Sequence, residues 1–188
     1  SHGHLENGED RAPCAGPGGR SVPRRAVTIR SVTDADLPAI MAFWNPLIRD
    51  TAVTFSSEEK TVPSLQRMIA ERQAAGRAFL VAEAAGRPVG LATYDRFRAS
   101  NGYAHTMEHT IILSPDAQGR GLGRALMAAI EDHARRAGAH SKIAAVSAEN
   151  RVGEAFHRAL GYALVGRLPD VGRKFGRWMD LLLLQKIL

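Results

Sequence analysis

A chain of 188 residues, 45% of them hydrophobic, can bury one good core but is short for two domains. Its net charge of +6 is dispersed rather than gathered in a run, which argues against a nucleic-acid partner, and its one cysteine, Cys14, excludes an intrachain disulfide and a cysteine-based metal site. No apolar run approaches the roughly 18 residues that cross a bilayer, and the N-terminus lacks the apolar core of a signal peptide, so a soluble, cytoplasmic protein with no membrane partner is expected.

Residues 1–25 are rich in Gly, Pro and Arg without apolar periodicity, and are read as a flexible leader ahead of one domain over 26–188. Val27 to Val32 alternates as a strand, and Thr33-Asp34-Ala35-Asp36 marks the start of a helix that runs to about Asp50. Its Ile40, Phe43, Trp44, Leu47 and Ile48 fall at core spacing. Thr51 to Phe55 is a loop or short strand, and a second helix spans Val62 to Ala75 before Gly76. Ala78 to Ala84 and Pro88 to Phe97 read as antiparallel strands joined at Ala85-Gly86-Arg87. His105 to Leu113 is a central strand stopped by Ser114-Pro115. Lys142 to Ser147 is a strand, Arg151 to Leu160 a helix closed by Gly161, and Ala163 to Leu168 and Arg177 to Gln185 a final pair. This order predicts a mixed α/β sheet with helices on both faces.

The densest signal follows the central strand. Gln118, Gly119, Arg120, Gly121, Leu122, Gly123 and Arg124 lead into Leu126, Met127, Ile130 and Ala134 at helical spacing. Glycines at a helix start let the backbone approach a ligand, and the exposed first-turn N–H groups with the helix dipole suit a phosphate. A P-loop is excluded because Arg124-Ala125 stands where Lys-Ser/Thr is required. A dinucleotide fingerprint is excluded because Arg124 occupies its sixth position. A surface turn that merely holds three glycines is the remaining alternative.

Gln118-x-x-Gly121-x-Gly123 after a Pro115-containing strand end resembles motif A of the GCN5-related N-acetyltransferases (GNAT), in which this turn holds the pyrophosphate of acetyl-CoA. Glu108-His109-Thr110, Asn150, His157-x-x-Leu160-Gly161-Tyr162 and Lys174-Phe175-Gly176-Arg177-Trp178-x-Asp180 are similar to the phosphinothricin and methionine sulfoximine N-acetyltransferase subgroup. The likeness runs from about Thr28 to the C-terminus. It implies the GNAT fold: a mostly antiparallel sheet whose central strands splay, with pantetheine lying between them against the backbone of Ile111, Ile112 and Leu113. It further implies acetyl-CoA as co-substrate, a homodimer, and a lid or dimer contact at Lys174 to Trp178 after a mobile turn containing Gly166, Pro169 and Gly172.

Acetyl transfer from a thioester to an amine needs a base, because an α-amine with a pKa of about 8 or higher is largely protonated at neutral pH. Strand alternation puts Thr106, Glu108, Thr110 and Ile112 on one face and His105, Met107, His109, Ile111 and Leu113 on the other. Glu108 is the candidate base, its alternative being an ion pair with a nearby arginine. His109 reads as a hydrogen-bonded core histidine. His157 stands where many relatives carry a tyrosine thought to protonate the departing thiolate. It either takes that role, water being the other donor, or packs under the Gly161 turn. Asn150 resembles the residue that holds the pantetheine arm and also suits a helix N-cap.

Arg98, Asn101, Gly102 and Tyr103 precede the central strand. Arg98 is the candidate for gripping a substrate carboxylate, Tyr103 for an apolar wall, and a solvated loop is the alternative. The loop resembles the methionine sulfoximine branch, while Ser100 stands where the phosphinothricin branch has a second basic residue. No ligand spacing points to a metal. The expected activity is acetylation of the α-amine of a small amino-acid analogue of the methionine sulfoximine, methionine sulfone or phosphinothricin type. A protein N-terminus or polyamine acceptor, or a non-catalytic acyl-CoA-binding module, are the alternatives.

Overall fold

The computed structural model describes residues 27–188. The leader expected over 1–25, with Cys14, lies outside the described residues.

Seven strands and four helices follow one another as the sequence pattern predicts: β1 (Val27–Ser31), α1 (Leu37–Asp50), α2 (Val62–Ala74), β2 (Phe79–Ala84), β3 (Arg87–Arg96), β4 (Thr106–Leu113), α3 (Leu122–Arg136), β5 (Ser141–Ser147), α4 (Arg151–Ala159), β6 (Ala163–Lys174) and β7 (Arg177–Ile187). The strands form one sheet in the order β1-β2-β3-β4-β5-β7-β6. Every neighbouring pair is antiparallel except β4 and β5.

That one parallel pair organises the molecule. Pairing runs through Thr106, Met107 and Glu108 against Ser141, Lys142 and Ile143, and stops there. Beyond it β4 stays bonded to β3 as far as Leu113 opposite Gly90, while β5 stays bonded to β7 as far as Ser147 opposite Leu181. The two strands therefore part at Glu108, and among the described residues no strand lies beside the inner edge of β4 from His109 to Leu113.

Apolar side chains on the two faces of the sheet form two clusters. Leu126, Met127, Ile130 and Ala134 of α3 pack with Met107, Val146 and Tyr162 on one face. Leu37, Ile40, Phe43, Trp44 and Ile48 of α1, with Leu65 of α2, pack on Val81 and Leu91 on the other. The alternation expected of β4 holds, since Met107, Ile111 and Leu113 join the α3 cluster and Ile112 joins the α1 cluster.

The last hairpin departs from expectation. Gly166, Pro169 and Gly172 do not form a turn; they lie within β6, which continues to Lys174, and the reversal is the two residues Phe175 and Gly176 at φ 54° and 72°. β6 is an edge strand, where a proline costs no ladder bond, and its pairing slips between Leu164 and Gly166 and again between Leu168 and Gly172. The hairpin grips the α1 end of the fold. Lys174 Nζ donates to the carbonyls of Ile48, Thr51 and Thr54 at 2.6, 2.6 and 2.9 Å, closing the C-terminus of α1. A Cβ at Gly172 would overlap the Phe55 ring. Lys174 is thus a buried brace, while Phe175 and Trp178 beside it are exposed.

Candidate active site

The open end of the split lies beside the turn between β4 and α3. Gly119 and Gly121 both take left-handed backbone, at φ 78° and 75°, and Gly121 caps α3. A side chain at either would meet no protein atom within 4 Å, so backbone conformation rather than crowding calls for glycine there. Gln118, Gly119, Arg120, Gly121 and Arg124 are exposed, and the first N–H groups of α3 have no partner within the helix. The turn is a helix N-terminus with a two-glycine approach and two arginines, the chemistry of an anion cradle. Gly123 sits differently. It is buried, and a Cβ there would press to 3.0 Å on Phe156 and 3.1 Å on Leu113, so it lets α3 approach α4 and β4.

Glu108 lies where the strands part, half-buried on the α1 and α2 face. Among the described residues it has no ion-pair or hydrogen-bond partner. Burial and the neighbouring carboxylate of Asp95 raise its pKa above the ordinary carboxylate range. The arginines of this region go to Asp95 instead: Arg72 at 2.9 Å, and Arg77.

His109 and His157 meet on the opposite face. Their Nε2 atoms are 2.8 Å apart, the rings are stacked, and both are buried. His157 Nδ1 lies 2.7 Å from the Gly153 carbonyl, which can only accept, so Nδ1 carries a proton and Nε2 accepts one from His109. Burial lowers the pKa of both rings. Neutral His157 therefore has no free N–H to offer. The spacing of 48 residues between the two histidines gave no sign of their contact.

Asn150 is the N-cap of α4, its side chain accepting from the Gly153 N–H at 2.9 Å. Arg98, Asn101, Gly102 and Tyr103 are exposed on the loop between β3 and β4; Asn101–Tyr103 make one 3-10 turn, and the Arg98 guanidinium lies 5.8 Å over the Phe97 ring. A groove of about 740 Å³ between α1 and the β2–β3 turn reaches Pro115 and Arg120 of the cradle. Among the described residues no group of three or more His, Cys, Asp or Glu is placed to hold a metal ion.

A sheet that opens at its one parallel pair, with a glycine-turned helix N-terminus at the open end, defines the acyl-CoA-handling GNAT architecture. The chain belongs to that family: the model described as "Acetyltransferase (GNAT) domain" matches residues 29–183, and the protein is an acetyltransferase with acetyl-CoA as its acetyl donor. It is 35% identical over 161 residues to an L-methionine sulfoximine/L-methionine sulfone acetyltransferase of Pseudomonas paraeruginosa, covering 85% of this chain and 94% of that one. Among solved structures it is similar to a GNAT superfamily phosphinothricin acetyltransferase from Sinorhizobium meliloti in complex with AcCoA, with 28% identity, a TM-score of 0.81, and coverage of 86% and 88%. It also resembles a ribosomal-protein-alanine N-acetyltransferase from Brucella melitensis, with 38% identity, a TM-score of 0.82, and coverage of 86% and 99%.

Proposed function

We propose that the protein transfers the acetyl group of acetyl-CoA to the α-amine of a small amino-acid analogue of the methionine sulfoximine, methionine sulfone or phosphinothricin type. The observation that carries the reading is Glu108, a half-buried carboxylate at the point where β4 and β5 part, without a counter-ion among the described residues and raised in pKa by burial and by Asp95. Such a group accepts a proton near neutral pH more readily than an ordinary carboxylate does.

In this reading the backbone N–H groups from Gly119 to Arg124 hold the pyrophosphate, helped by the Arg120 and Arg124 charges and the α3 dipole. The free edge of Ile111, Ile112 and Leu113 pairs with the pantetheine amides. From Leu113 back to Glu108 is five residues, roughly 17 Å of strand, along which the arm brings the thioester to the base. Glu108 removes the amine proton directly or through water, nitrogen attacks the carbonyl carbon, and the carbon–sulfur bond breaks. The two filled nitrogens of His157 favour water as the donor to the departing thiolate, relaying the second proton that the nitrogen loses as the amide forms. In that case His157 fixes α4, and with it Asn150, which caps the helix and is the residue assigned to the arm. No covalent acyl-enzyme is required.

Arg98 supplies an exposed guanidinium for the acceptor carboxylate, with Asn101, Gly102 and Tyr103 framing the loop. The similarity to a ribosomal-protein-alanine acetyltransferase supports an N-terminal alanine peptide as a second acceptor. Thiol release from acetyl-CoA, measured with methionine sulfoximine, methionine sulfone, phosphinothricin, an N-terminal alanine peptide and spermidine, tests the reading. Turnover on the amino-acid analogues upholds it; turnover on the peptide alone moves the acceptor, and turnover on none overturns it.

A homodimer accompanies this reading. Val171, Phe175 and Trp178 are 52%, 55% and 59% exposed on the last hairpin, an apolar surface suited to a second copy of the chain. A purified sample that sediments as a monomer at micromolar concentration contradicts it.

A further inference from the structure

The catalytic reading leaves one charged group beside the base without a role. Asp95 of β3 stands directly opposite Glu108 of β4 in the antiparallel register, which brings their Cβ atoms to roughly 5 Å. Like charges facing each other across a strand pair repel, so the arrangement persists only if something holds one of them. Asp95 is held on both oxygens. One accepts from Arg72 of α2 at 2.9 Å; the other accepts from Arg77 and from the Arg96 N–H at 2.8 Å. Glu108 has none of these partners.

The contrast matters because the two carboxylates are otherwise alike in chemistry and place. Two arginines and a backbone donor hold the Asp95 carboxylate in place. Glu108 then faces a fixed negative charge, and its other strand neighbour, Ile143 of β5, is uncharged. Burial is the larger cause of the raised Glu108 pKa, and among the described residues Asp95 is the charge that adds to it, in the direction that favours the protonated acid. Arg72 and Arg77, engaged with Asp95, moderate that effect from behind.

We propose that Asp95, clamped by Arg72 and Arg77, is a positioning residue for Glu108: a fixed charge opposite the base that keeps it a strong proton acceptor while the arginines are kept from pairing with it. The inference rests on Glu108 being the base, but the charge coupling between the two carboxylates is measurable whether or not it is. The clamp answers why two arginines and two carboxylates within one corner of the sheet leave the catalytic carboxylate without a counter-ion among the described residues.

The test has two readouts. Selective carboxyl ¹³C labelling of glutamate, with the Glu108 signal assigned by its loss in Glu108→Gln, follows the titration of Glu108 in the ligand-free protein. The acid limb of kcat/KM against pH follows the base in turnover. Asp95→Asn removes the charge and frees two arginines, so the Glu108 titration moves to lower pH by on the order of one unit. Arg72→Gln leaves Asp95 less neutralised and moves it to higher pH. Opposite displacements in the two variants, with the acid limb following the carboxyl signal, are the expected result. Melting curves identify any variant that has not folded, and either substitution alone still reports the sign. A Glu108 signal that stays in place in both variants, or moves the same way in both, overturns the proposal. A signal that moves while the acid limb does not leaves the coupling intact and instead removes Glu108 from the role of base.

Discussion

Lys142 is 0% exposed and its Nζ has no hydrogen-bond partner among the described residues, although it lies on the strand next to the split. The nearest favourable features are the Tyr94 ring, 5.9 Å away, and Glu131, which is already bonded to Tyr162 at 2.9 Å and to Lys186 at 2.9 Å. Burial pulls its pKa from 10.5 down to about 7. At about 1.4 kcal/mol per pH unit this is a ceiling of about 5 kcal/mol on the cost of the charged form. Relaxation and water penetration reduce such costs, so replacing Lys142 with methionine should stabilise the fold by about 2 kcal/mol where the lysine is charged in both states. The sign follows from proton binding. Between about pH 7 and 10.5 the unfolded chain holds a proton at Lys142 that the folded chain does not, so the cost is full below pH 7 and fades as pH rises. Urea unfolding of wild type and Lys142→Met at pH 6.5 and 9.5 measures it. A gain at pH 6.5 that shrinks to about 1 kcal/mol at pH 9.5, one unit below the unfolded-state value, is expected; a variant that is less stable at pH 6.5, or whose gain ignores pH, refutes the reasoning.

Gly121→Ala places a side chain at a φ of 75°, which costs about 1–2 kcal/mol of stability and displaces the first N–H groups of α3. Calorimetry should show acetyl-CoA binding weakened by tenfold or more, and unchanged affinity would remove the turn from the donor site. Arg98→Gln should raise the KM for a methionine sulfoximine acceptor by about 10- to 100-fold while kcat changes little, because one bidentate carboxylate contact is worth about 1.5–3 kcal/mol. An unmoved KM makes Arg98 a solvated surface charge. His157→Asn should lower the melting temperature, since it breaks the bonds to both Gly153 and His109, yet keep the basic limb of the pH profile in place. Loss of that limb would restore His157 as the proton donor.

Much of the fold was legible because its signals are local. The period of α3, the alternation along β4 and the glycines at positions 119 and 121 each state a backbone requirement within a few residues. The split between β4 and β5 was reached only through family resemblance, because no residue marks the point where two strands 35 positions apart cease to pair. The continuation of β6 through Pro169 was missed for a related reason. Proline and glycine read as a turn unless the strand is known to lie on an edge, and edge position is a property of the whole sheet. The parts of the site that sequence did not show are contacts between distant residues: His109 on His157, Asp95 opposite Glu108, Lys174 on the carbonyls that end α1. Each of these residues has an ordinary local context, so only the folded arrangement distinguishes it. Gly123 adds a packing requirement that the motif did not show, since a Cβ there would press on Phe156 and Leu113.

The central claim is that Glu108 takes the proton from the acceptor amine at the split. Single-turnover acetyl transfer by Glu108→Gln, measured alongside acetyl-CoA affinity by calorimetry, tests it most directly. The account predicts a rate lower by about 10²- to 10⁴-fold with affinity for acetyl-CoA retained, as expected on losing a general base. A variant that transfers acetyl groups at the wild-type rate would contradict it.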